Sequence, residues 1–179
     1  MTQGTKKTEH LVKLSMFAAI ALVIFMVEAQ FPSPVLYIPG MKLGLANAVT
    51  LFLLSEYAKK DAFAVLMVRI FLGSFFAGQM TSLIYSLAGG ILSFTVMILC
   101  IKIFGKEYIW FAGICGGIFH NIGQICAAAL LMETKAVFSY LPWLILFGTG
   151  AGLFCGLSAQ FLAKHTRRLK NNLKTEKKP

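Results

Sequence analysis

Residues Ile109 to Met132 read IWFAGICGGIFHNIGQICAAALLM, a stretch with no Asp, Glu, Lys or Arg in which Gly, Ala and Cys alternate with large apolar side chains. A helix needs about 20 mainly apolar residues to cross roughly 30 Å of hydrocarbon, so this segment is long enough to span a membrane. The chain around it has a matching composition. Of its 179 residues, 58% belong to the set AVILMFWYC and 13% are charged, which leaves too little polar surface to cover a water-soluble globule.

Working outward with the same ruler gives six spans: Leu11 to Ala29, Leu43 to Tyr57, Ala62 to Gly78, Ser82 to Ile101, Ile109 to Met132 and Leu141 to Ala163. The second holds only 15 residues, short for a full crossing. Between the third and fourth, the run Gly78 to Ser82 (GQMTS) is the plausible point of reversal. The predicted organisation is therefore a cytoplasmic N-terminal segment over residues 1–10, an all-α membrane domain over 11–163 and a basic cytoplasmic tail over 164–179.

Charge placement supports that count independently, because cytoplasmic segments collect Lys and Arg. With the N-terminus inside, fourteen of the seventeen basic residues fall on the inner side: Lys6, Lys7, Lys13, Lys59, Lys60, Lys102, Lys106 and the seven of the tail. Lys42 and Lys135 fall outside, and Arg69 lies within a span. The net charge of +10 is thus concentrated in a tail and does not describe a nucleic-acid groove, so no nucleic-acid partner is expected. Asp occurs once, at Asp61, which argues against a Mg²⁺ or Ca²⁺ site, since hard cations want several oxygen ligands together. The four cysteines lie singly in apolar stretches and read as packed thiols.

Helices approach closely in lipid where small residues recur every four positions. Gly113 with Gly117, Gly148 with Gly152 and Gly156, and Gly73 with Ala77 form such ridges, either inside one bundle or against a partner. On the first span, Ser15, Ala18 and Ala19 make a small-residue face suited to docking on another membrane subunit.

Ionisable groups at membrane depth are expensive and demand a partner or a polar cavity. Arg69 is the clearest case, suited to an anionic ligand or to an ion pair with Glu28. On the fifth span, His120, Asn121 and Gln124 share one side of the helix, where they could line a pocket or bond neighbouring helices. As a metal site this trio is thin, and no metal is expected. Asn47, Gln79 and Tyr85 supply similar groups on or beside other spans. The outer segment Phe31 to Lys42 (FPSPVLYIPGMK) is rich in proline and aromatics and reads as a cap. Lys42 at its end stands before a helix start, where it either attracts an anion or anchors the helix at the headgroups. The expected substrate site comprises Glu28, Lys42, Asn47, Arg69, Gln79, Tyr85, His120, Asn121 and Gln124.

The stretches PGMKLGLAN (Pro39 to Asn47), YSLAGG (Tyr85 to Gly90), HNIGQ (His120 to Gln124) and YLP (Tyr140 to Pro142) resemble signatures of a family of bacterial membrane proteins. It is called the Gx transporter family and is also labelled heptaprenyl diphosphate synthase component I. The resemblance covers about residues 10 to 165. That family is similar to the substrate-binding S components of energy-coupling factor (ECF) transporters. The resemblance implies a six-helix bundle in the cell membrane with both termini cytoplasmic, an outward pocket under a loop acting as a lid, and docking on a coupling subunit served by two ATPases. The first helix departs from the S-component pattern Ala-x-x-x-Ala, offering Ser15-x-x-x-Ala19 as its nearest match.

A non-catalytic, substrate-capturing subunit is the expectation, its ligand an anionic or partly apolar compound related to a vitamin, quinone or isoprenoid. The chain has no GxxxxGK[ST] phosphate loop, so ATP hydrolysis would belong to partners. Polyprenyl diphosphate synthesis uses Mg²⁺ held by paired aspartate-rich motifs, which one Asp cannot supply. The alternative is a non-catalytic membrane subunit of isoprenoid or quinone metabolism, or of the flavin-based extracellular electron transfer with which the family is associated. No haem or iron–sulfur ligand set stands in the sequence, and no cofactor is expected.

Overall fold

The computed structural model describes residues 3–30, 42–78 and 80–175. These form α1 (Gln3–Glu28), α2 (Asn47–Glu56), α3 (Lys59–Phe76), α4 (Met80–Phe104), α5 (Ile109–Leu131), a 3-10 turn (Ala136–Tyr140) and α6 (Leu141–Thr175), with no strand among the described residues. Each expected span thus contains a helix. The reversal after α3 falls where the sequence placed it, with Gly78 in the left-handed region at φ 65°. The Pro-rich cap, residues 31–41, and Gln79 lie outside the described residues.

Among the described residues, four helical stretches are long and apolar enough to cross a membrane: Gly4–Glu28, Met80–Phe104, Ile109–Leu131 and Ala136–Asn172. α3 has 18 residues, about 27 Å at 1.5 Å per residue, but begins with Lys59, Lys60 and Asp61 and buries Arg69. Large apolar side chains face outward around the bundle, among them Phe75 (78% exposed), Phe154 (63%), Phe161 (76%) and Leu130 (81%). Such a surface suits acyl chains and not water. The protein is an all-helical membrane protein.

The expectation for the second span needs correction. Its helix covers only Asn47–Glu56, ten residues or about 15 Å, half the hydrocarbon thickness. Residues ahead of it turn instead, with Gly44 at φ 85°. Eight of the ten residues of α2 are buried, the pattern of a helix enclosed by protein. Leu51, Phe52, Leu53 and Leu54 form the middle of the larger apolar cluster, joined by residues from all five other helices. α6, expected to end near Ala163, continues as helix to Thr175.

The glycine ridges close on one another within the chain. A Cβ placed on Gly113 would lie 2.5 Å from the Gly152 carbonyl oxygen, and one on Gly156 would lie 2.5 Å from that of Trp110. Gly117 likewise meets the backbone of Gly148, so α5 and α6 touch backbone to backbone. Gly123 of α5 is pressed in the same way on Ala88 and Gly89 of α4. α1 sits at the edge and buries one stripe, Ala21, Phe25 and Glu28, with Phe25 seated on Gly73 of α3. Of its expected docking face, Ser15 and Ala19 are exposed while Ala18 turns partly inward. The cysteines are all free thiols; Cys100 and Cys155 are buried, Cys115 is half-buried, and Cys126 is exposed, contrary to the expectation that all four are packed.

Candidate functional site

The turn ahead of α2 gathers the expensive polar groups. Glu28, at the end of α1 and 6% exposed, accepts the Gly44 N–H at 2.6 Å and the Leu45 N–H at 3.1 Å. Its carboxylate thereby satisfies two backbone donors that lipid would leave unpaired. Gln124 of α5 grips the same turn from the other side. Its Oε1 accepts the Lys42 N–H at 2.9 Å, and its Nε2 donates to the Lys42 carbonyl at 2.7 Å.

The cations converge here as well. The Lys42 ammonium lies 3.3 Å over the Phe25 ring centroid, a cation–π contact, and Nζ has no hydrogen-bond partner among the described residues. Arg69, 2% exposed, donates from Nη2 to the Asn47 Oδ1 at 3.4 Å, while its Nε and the Asn47 Nδ2 have no partner among the described residues. No ion pair within 4 Å joins Arg69 to Glu28 among the described residues. Burial pushes the Lys42 ammonium, which precedes α2, down to about 8; Glu28 opposes that shift and Arg69 adds to it. Two buried cations therefore share one buried carboxylate, whose oxygens are already engaged by backbone.

His120 completes the wall. A Cβ on Gly44 would lie 2.7 Å from its Cδ2, so only glycine fits there, and the positive φ demands glycine independently. On the far side the ring meets Gly89 of α4. Asn121 leaves the group: its Nδ2 donates to the Leu144 carbonyl of α6 at 2.7 Å. Tyr85 also stands apart, packed in a smaller apolar cluster with Ile125, Ala128, Val137 and Leu144. Glu28, Lys42, Asn47, Arg69, His120 and Gln124 are thus brought together around one turn, Asn121 and Tyr85 serve neighbouring packing, and Gln79 lies outside the described residues.

Three participants are absent from the expected set. Phe25 stands three residues before Glu28, on the same face of α1, and that spacing was the available signal. Gly44 was legible only as part of a glycine-containing helix start. Cys155 of α6, whose Sγ lies 3.4 Å from the Leu45 carbonyl oxygen, carried no signal at all. No group of three or more His, Cys, Asp or Glu side chains is placed to hold a metal among the described residues.

The fold and this cluster define an integral membrane protein whose buried polar groups are built around the turn ahead of a short buried helix. A family model described as heptaprenyl diphosphate synthase component I matches residues 17–162, and the chain belongs to that family. No curated protein and no solved structure gives a significant match.

Proposed function

We propose that this chain is a non-catalytic, multi-pass protein of the bacterial cell membrane that captures a small anionic ligand at the turn before α2. In this reading six helices place both termini in the cytoplasm, in the manner of an S component. One observation carries the proposal: among the described residues, Lys42 and Arg69 are buried beside a single carboxylate that is itself occupied, leaving the donors Lys42 Nζ, Arg69 Nε and Asn47 Nδ2 unfilled. A buried excess of positive charge with open donors favours a carboxylate or phosphate oxygen. The apolar body of such a ligand, related to a vitamin, quinone or isoprenoid, would lie among the aromatic and aliphatic side chains nearby. A coupling subunit with two ATPases would dock on the face holding Ser15 and Ala19.

The family's description favours a second reading. A protein named as a component of heptaprenyl diphosphate synthase fits a non-catalytic partner in isoprenoid or quinone metabolism. The bonds that Glu28 and Gln124 make to backbone agree with a scaffold role.

Mass spectrometry of the purified native protein, with an inventory of co-purifying subunits, separates the two. Capture predicts a stoichiometric small anion that Arg69→Gln abolishes while thermal stability stays near that of the parent chain. Absence of any such molecule, together with a prenyl-transferring partner in the preparation, would establish the second reading instead.

A further inference from the structure

The opposite end of α2 meets a separate basic cavity. A hollow of about 480 Å³ opens where the α4–α5 connection faces α6, lined by Lys106, Glu107, Tyr108, Gln160, Lys164 and Arg167 among others. Three cations and one acid, Glu107, line it, and a second acid, Glu56, stands behind Arg167. Lys106 spends one of its three N–H donors on the Ser55 carbonyl at 2.6 Å, leaving two. Arg167 donates from Nε to Glu56 at 2.6 Å, yet its Nη2 is buried with no partner among the described residues. Lys164 is exposed at the rim. Gln160 already accepts the Trp110 N–H at 3.1 Å, so the start of α5 is capped and the remaining demand is for an acceptor that reaches the three cations.

The surroundings point to lipid as the source of that acceptor. Tyr108, 52% exposed, lines the cavity and Trp110, 36% exposed, follows two residues on, the kind of aromatic pair found at a membrane–water boundary. About one and two turns from Lys164 toward the middle of α6, Phe161 (76% exposed) and Leu157 (52%) offer an outward apolar track for an acyl chain. We infer that this cavity binds an anionic phosphate ester, the headgroup of a phospholipid, with Lys106, Lys164 and Arg167 around the phosphate.

The test uses the full-length protein in detergent, titrated with phosphatidylglycerol, phosphatidylcholine or inorganic phosphate and read by native mass spectrometry and thermal shift. Phosphatidylglycerol should bind at least about tenfold more tightly than phosphatidylcholine. Lys106→Gln combined with Lys164→Gln should weaken it by about 25-fold, at roughly fivefold for each basic side chain removed. Both substitutions spare the Arg167–Glu56 pair, and the glutamine at 106 retains a donor for Ser55. Lys6→Gln, on an exposed stretch of α1, should change nothing. Stabilisation by phosphatidylglycerol without any by inorganic phosphate assigns the site to lipid. Equal stabilisation by inorganic phosphate reassigns it to soluble phosphate esters and overturns the lipid assignment. Equal binding of the two lipids, or indifference to the double substitution, overturns the proposal altogether.

Discussion

Gln124 holds the backbone of Lys42 by both of its groups at once, accepting the N–H at 2.9 Å and donating to the carbonyl at 2.7 Å across 82 residues of sequence. A primary amide is the side chain that offers an acceptor and donors in one plane, which is why glutamine suits this position. Gln124→Leu leaves a buried N–H and a buried C=O without partners, a loss of about 1–3 kcal/mol for each. Thermal unfolding in detergent should show a midpoint lower by several degrees. An unchanged midpoint would mean that the turn is held elsewhere.

Glu28 balances two cations as well as two backbone donors. Glu28→Gln removes the negative charge from this cluster, and breaking a buried charge cluster costs about 3–5 kcal/mol. Adding Arg69→Gln should restore part of that stability, because one orphaned cation disappears with it. A double variant no more stable than the single one would show that Glu28 acts through hydrogen bonds alone.

The backbone approach of α5 to α6 leaves no room for side chains. Gly117→Val should separate the helices and sharply reduce the yield of folded protein, since overpacking costs about 1–3 kcal/mol even in adaptable cores. Gly150→Ala provides the internal comparison, because nothing lies within 4 Å of its added methyl group. Size-exclusion profiles of the two variants should differ plainly.

Anion capture should depend on pH through Lys42, whose ammonium is held near 8 by burial. A bound anion favours the charged amine and raises that value, so affinity is full below about pH 8 and declines as the pH climbs above it. A ligand retained equally at pH 7 and pH 9.5 would remove Lys42 from the site. Lys42→Met should flatten the profile.

Helix number and the α5–α6 seam were legible in the sequence because both are local patterns: apolar runs long enough for a membrane, and glycines four apart. The extent of α2 was not legible. Leu43 to Tyr57 is apolar almost throughout, yet the helix starts only at Asn47, because Glu28 and Gln124 draw the preceding backbone into a turn from distant parts of the chain. Spacing also placed Asn121 and Gln124 on one side of α5 without saying what each would meet. One amide reached the α6 backbone and the other reached Lys42. Tyr85 was legible as a polar group in a span, whereas its position among Ile125, Ala128 and Leu144 is that of an aromatic body in an apolar cluster.

The ten-residue α2 has Asn47 at one end and Glu56 at the other, the latter clamped by Arg167 at 2.6 Å and Lys170 at 3.3 Å. Held at both tips by side chains from other helices, it is a strut of fixed length. Adding or removing one residue would turn Glu56 by about 100° and move it by about 1.5 Å relative to Asn47, so one anchorage or the other would be lost.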